Sequence, residues 1–204
     1  MKKIIITFLI IMGFYYTSTA QTTSNAEFGA NVGLNAATVT SGGYYTNSAY
    51  RIGYNVGLSG EYYLSGSWGI KVKAIYDQKG WNDGFITGPN GDYTTNFQLD
   101  YITVPVMANW HFGHTRNWYL NFGPYVGFLL SAKETTNGSD LKPIMNSTDF
   151  GISTGIGVKF PISENAKFFI EANGQDGVND VFKNNSGSTV INVRSSLNIG
   201  ITFR

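Results

Sequence analysis

Hydrophobic and polar residues alternate with a period of two along most of the chain, most cleanly from Val190 onward. There Ile191, Val193, Leu197, Ile199, Ile201 and Phe203 share one face, and Asn192, Arg194, Ser196, Asn198, Gly200 and Thr202 the other. Successive side chains of a strand point to opposite faces, so this reads as one amphipathic strand. Seven earlier segments repeat the pattern, led by Phe28, Ile52, Trp68, Ile102, Trp118, Phe150 and Phe168. None carries the 3.6-residue period of an amphipathic helix. The count is eight and even. The pattern predicts an all-β fold, an eight-stranded antiparallel up-and-down transmembrane β-barrel.

The connections alternate in length. Leu64 to Trp68, Phe112 to Trp118 and Phe160 to Phe168 read as short turns. Residues 38–51, 79–96, 132–148 and 174–189 read as long loops rich in Gly, Asn, Ser and Thr. In outer-membrane barrels short turns face the periplasm and long loops the exterior. An even strand number then places both termini in the periplasm. Tyr62, Trp68, Trp110, Phe112, Trp118, Phe160, Phe168 and Phe203 lie beside the short turns or the C-terminus, which predicts one interfacial aromatic girdle. Tyr54, Tyr76, Phe128 and Phe150 form a looser belt toward the long loops.

Composition decides which face meets which solvent. Charged residues are 13% of the 204, about half the usual share of a soluble domain, while aromatics reach 15% and there are 25 glycines. A soluble lipocalin-type barrel also has eight alternating strands, but it must turn its polar face to water. Here the polar face is mostly Gly, Asn and Ser, a poor solvent surface and a good lining for a narrow lumen. Lipid outside and polar residues inside is the expected arrangement.

The N-terminal segment reads as a cleaved signal peptide over residues 1–20, leaving 21–204 as the barrel domain. Lys2 and Lys3 supply the positive start, residues 4–16 the apolar stretch, and Ser18-Thr19-Ala20 the small-residue cleavage site. The apolar stretch is about 13 residues, too few to span a bilayer as a helix. Removing the two lysines takes the formal charge from +1 to −1, which gives no argument for nucleic acid. With no cysteine there is no disulfide frame and no thiolate metal site.

Glu61, Lys71, Lys73, Asp77, Lys159, Glu171 and Arg194 all fall on the lumen face. An eight-stranded barrel leaves room only for side chains, so these charges predict a buried ion-pair network that plugs the lumen, with an ion path as the alternative. Pairing Leu64 with Trp68 across their turn sets Glu61 opposite Lys71 and predicts an ion pair between them. The same kind of register brings Pro105 and Pro124 within one residue of each other. Each lacks an N–H, which predicts a bulge or weakened pairing there.

Leu99-Asp100-Tyr101-Ile102-Thr103-Val104-Pro105-Val106, Phe122-Gly123-Pro124-Tyr125-Val126-Gly127-Phe128 and Gly155-Ile156-Gly157-Val158 resemble strands of the PorT-like outer-membrane β-barrel family common in Bacteroidetes. The resemblance implies an outer-membrane barrel with a two-proline hairpin, and through its namesake a place in an envelope secretion apparatus. Chains of that family often finish on an aromatic, whereas here Arg204 follows Phe203.

No catalytic, cofactor-binding or metal-ligating residue is assigned, and no enzyme activity or cofactor is expected. The two histidines, His111 and His114, sit at the short-turn end without an obvious third ligand, and Gly151 to Gly157 lies in a strand with no following helix. Function is therefore expected to reside in structure or in loop contacts. Residues 41–45, 81–93 and 134–149 mix aromatic and small polar residues, a composition suited to adaptable recognition. The expected partners are outer-membrane lipid including lipopolysaccharide, and envelope proteins met by the extracellular loops or periplasmic turns. A monomeric barrel is expected.

Overall fold

A computed structural model describes residues 25–41, 44–45, 48–88 and 91–204; the predicted signal peptide lies outside the described residues. Eight strands follow one another: β1 (Ala26–Ser41), β2 (Ala49–Tyr63), β3 (Trp68–Gly88), β4 (Gly91–Phe112), β5 (Trp118–Glu134), β6 (Thr148–Pro161), β7 (Ala166–Gly177) and β8 (Val190–Phe203). A two-residue strand, Tyr44–Tyr45, folds back on the end of β1. Each of the eight pairs antiparallel with its sequence neighbours. β1 also pairs with β8, from Phe28 opposite Phe203 to Ser41 opposite Val190. The ring is closed, so the main ladder has no open edge for lipid to contact.

The faces sort as the alternation requires. Leu34 is 67% exposed on the outside while its neighbour Asn35 is 1% exposed in the lumen. Lipid replaces water around the outer wall, so Phe28, Leu58, Val72, Phe122, Ile152 and Leu197 gain an apolar solvent there. The girdle at the short-turn end is a chain of ring contacts: Trp68 on Trp110 at 6.2 Å, Trp110 on Phe112 at 5.1 Å, and Phe160 on Phe168 at 6.4 Å. On the other side Tyr54 meets Tyr76 at 5.9 Å.

Strands run further into the long-loop end than alternation predicts. The expected loop at 79–96 is almost all strand, since β3 continues to Gly88 and β4 starts at Gly91. Likewise β1 extends through the expected loop start at Thr38, Val39 and Thr40, which pair with Val193, Asn192 and Ile191. A strand alternates visibly only where one face meets lipid. Residues 37–40 are all buried: Val39 joins the apolar cluster at this end, and Thr38 on the other face donates to Ser48 O. The ladder therefore persists after its sequence period has vanished. At 21 and 22 residues, β3 and β4 are about twice the length needed to cross a bilayer.

The prolines weaken pairing as expected, but in two ladders. Between β4 and β5 the register is unchanged while Val106 and Met107 lack partners opposite Pro124 and Gly123. Between β3 and β4 the partners of Lys73 and Ala74 are missing opposite Pro105 and Val104. Each proline withholds one N–H, and an N–H points to one neighbour only.

Candidate functional site: the lumen and its two ends

The lumen carries the chemistry of this molecule, stacked in layers along the barrel. At its centre Glu171 of β7 accepts hydrogen bonds from Lys73, from Tyr119 and Asn121 at 3.0 Å, and more distantly from Lys71 at 3.5 Å. Lys71 also lies over the Tyr119 ring at 4.6 Å. Toward the loops, Asp77 accepts from Arg194 at 2.9 Å, Asn35 at 2.8 Å and Thr103 at 3.3 Å. The other arm of the Arg194 guanidinium donates to Asn173 and Ser196. Above it Lys79 pairs with Asp149 at 2.8 Å and lies over Tyr125 at 4.6 Å. Toward the short turns, Lys159 bridges Glu27 and Glu61, and His111 Nε2 meets Glu61 at 2.5 Å.

All seven predicted lumen charges are buried in this network. The register prediction also holds, with Glu61 opposite Lys71. Their ion pair does not form. Lys71 reaches Glu171 instead, and Glu61 takes Lys159 and His111. The bore is so narrow that long side chains cross it: β3 and β7 stand on opposite walls, and a carboxylate there collects two lysines at once. Arg194 pairs with Asp77. Buried charges of this kind are tolerated because each is paired and further hydrogen-bonded.

Alternation missed Glu27, Lys79 and Asp149, all nearly fully buried in the lumen. The signal was present. Lys79 continues the phase of Lys71, Lys73 and Asp77, and Glu27 and Asp149 each immediately precede an outward phenylalanine. It also missed the tyrosines 63, 101 and 125; their rings, like that of Tyr119 on the polar face of its strand, line the bore beneath lysine ammonium groups.

The two ends of the lumen differ. At the long-loop end an apolar cluster closes it: Trp81 stacks on Phe97 at 4.3 Å, and Leu99, Leu129, Leu141, Met145 and Val181 pack around them. Two long loops supply the lid. Asn146 N–H donates to Val181 O at 2.8 Å, and its side chain donates to Asp180 O and Phe182 O. The Glu134 carboxylate anchors the turn that starts the first loop, accepting from Ser139 N–H at 2.9 Å, Thr95 at 2.8 Å, Asn137 N–H at 2.8 Å and Thr136 N–H at 2.9 Å. Those bonds, the Ser139 amide first, lower its pKa to about 2.

Among the described residues the short-turn end is open. A cavity of about 470 Å³ enters the barrel there, lined by Tyr63, Gly66, His111, Arg116, Lys167 and Arg204 among others. His111 is buried at its floor, whereas His114 is exposed in the turn. No group of metal-ligating side chains gathers among the described residues.

A family model described as outer membrane protein beta-barrel domain matches residues 19–183. Among solved structures the chain is similar to Neisserial surface protein A, at 15% identity over 86% of this chain and 96% of that one, with a TM-score of 0.51. It is similar to OprG from Pseudomonas aeruginosa at 13% identity over 91% and 98%, TM-score 0.51. It is also similar to outer membrane protein W from E. coli at 16% identity over 90% and 100%, TM-score 0.50. Likeness at this identity shows the shared barrel fold. No curated protein matches significantly.

Proposed function

Because the chain belongs to the outer membrane protein beta-barrel domain family, we propose that this outer-membrane barrel is a closed, non-enzymatic display platform whose long-loop end engages partners. The observation that carries the reading is the double obstruction of the lumen. Cross-bore ion pairs fill its middle and an apolar lid seals its loop end. A barrel built to conduct needs a continuous wet path, and this one spends its interior on packing.

What remains is the surface above the membrane. β3 and β4 rise as a hairpin beyond the last β2 partner, Ala49 opposite Asn82, and carry Phe85 65% exposed. In this reading the long loops face out and both termini lie in the periplasm with the leader removed, which the even strand number supports. Lipopolysaccharide around the outer wall and a monomeric ring complete the reading. A second reading follows from the PorT-like strands: the same hairpin would dock the barrel into an envelope secretion complex.

Pull-down from native outer membranes tests both, using the full chain and a variant whose hairpin tip, 83–96, is replaced by a two-residue turn. A partner at stoichiometric yield that is lost with the hairpin is expected. No such partner, or one retained equally by the variant, contradicts the display role.

A further inference from the structure

We propose that the cavity at the short-turn end is a binding site for a small anionic group, a carboxylate or a phosphate. Its volume, about 470 Å³, falls in the range of small-molecule sites. Arg116, Lys167 and Arg204 line it, and no Asp or Glu does. The nearest acids are committed elsewhere. Glu27 accepts from Lys159 and from Tyr63 at 3.0 Å, with Lys167 only at 3.9 Å, and Glu61 accepts from Lys159, His111 and Asn109. Glu164 lies exposed in the adjoining turn, outside the lining. The lumen acids thus leave the Arg116 charge at the mouth uncancelled, with Lys167 held only loosely beside it.

Arg116 is the best-prepared donor. It adopts a left-handed backbone, φ 54°, at the end of the turn, a conformation that favours Gly or Asn. Arginine there is held at a conformational cost, and such outliers concentrate where a side chain has work to do. Across the mouth Gly66 leaves the room its guanidinium occupies: a Cβ on Gly66 would stand 2.1 Å from Arg116 Nη1. Arg116 makes no ion pair or side-chain hydrogen bond among the described residues, so its donor fork is available. Arg204 adds a guanidinium 4.7 Å from the centre of the Tyr63 ring, which steadies it at the rim. The Arg116 fork and the Lys167 ammonium on a walled cavity match an oxyanion better than a neutral or cationic ligand.

Binding does not depend on the display role; only the compartment that supplies the ligand does. Two sources share the chemistry, a phosphate ester or free phosphate, and the free carboxylate of a peptide. Calorimetric titration of the folded barrel at low ionic strength separates them, with inorganic phosphate in one arm and an acetylated dipeptide in the other, its C-terminal amide serving as the control. Saturable binding in the millimolar range to at least one anion, and none to the amide, is expected. Arg116→Gln with Lys167→Gln weakens it at least tenfold. Gly66→Ala, which keeps every charge but displaces the Arg116 guanidinium, weakens it several-fold, while Lys142→Gln at the loop end leaves it unchanged. Each variant is first shown to keep the heat-modifiable gel shift of the folded barrel. No saturable binding to either anion, or equal binding by the double variant, overturns the assignment.

Discussion

The two ends of this barrel are closed by opposite chemistry. The loop end is sealed by Trp81, Phe97, Leu141, Met145 and Val181, apolar groups drawn from strands and loops alike. At the turn end no lid covers the bore among the described residues: a charged layer of Lys159, Glu27, Glu61 and His111 lies in the lumen beyond a cation-lined mouth that only His111 of the four reaches. An apolar lid excludes water without asking for directional partners. A charged layer must satisfy each group, and it therefore fixes geometry more tightly. The difference fits the two proposals: a loop end sealed beneath the surface that engages partners, and a turn end that binds a small anion.

The largest effect is expected midway between them. Glu171→Gln leaves Lys71 and Lys73 buried without a carboxylate, and loss of one partner from a buried pair costs about 3–5 kcal/mol. Urea titration of the folded barrel in lipid, read by the heat-modifiable gel shift, should show an unfolding free energy lower by that amount and a midpoint shifted down accordingly. An unchanged midpoint would mean the lumen network is not what holds the walls together. At the lid, Met145→Ala removes a fully buried side chain and should cost about 2 kcal/mol, the low end for such changes, because a loop can partly collapse into the space. Amide exchange would locate that loss in loops 135–147 and 178–189, with the β1–β8 ladder unaltered. Exchange that rises equally in β1 and β8 would refute a separable lid.

A smaller gain is expected from Pro105→Val. It restores an N–H where Lys73 and Ala74 lack ladder partners, and about 1 kcal/mol of added stability is the expected return. A neutral or destabilising result would show that the gap is set by packing in the bore rather than by the missing donor. The smallest effect separates the ends by pH. The Glu134 carboxyl is held down to about 2 in the folded chain against 4.5 for the free group, so its contribution is complete above pH 4.5 and fades as pH falls toward 2. Amide shifts of Thr136, Asn137 and Ser139 should titrate with a midpoint near 2. A midpoint near 4.5 would dissolve the proposed anchor.

How much of this was legible in the residues depends on where lipid touches. Through the bilayer every strand has one apolar and one polar face, so segments such as Val190 to Phe203 declare both their type and their orientation. Above it both faces of Thr38, Val39 and Thr40 are covered, and the period that identifies a strand disappears although the pairing continues. Lumen membership of Glu61, Lys71 and Arg194 could be read from phase, and so could the register that sets Glu61 opposite Lys71. Their partners could not, because in a narrow bore the shortest path for a lysine leads across the ring, and phase along one strand says nothing about the opposite wall. The mouth was equally hidden. Gly66, Arg116, Lys167 and Arg204 are scattered through turns and strand ends, and only ring closure gathers them.

Conductance tests the central claim, a lumen closed by its own side chains, most directly. The full chain, folded and inserted into planar bilayers at high salt, should give a flat current trace under either polarity. A variant with loop 135–147 shortened should stay flat as well, since the Lys73–Glu171 and Arg194–Asp77 layers remain beneath the lid. Discrete, reproducible current steps from the unaltered chain would contradict the account.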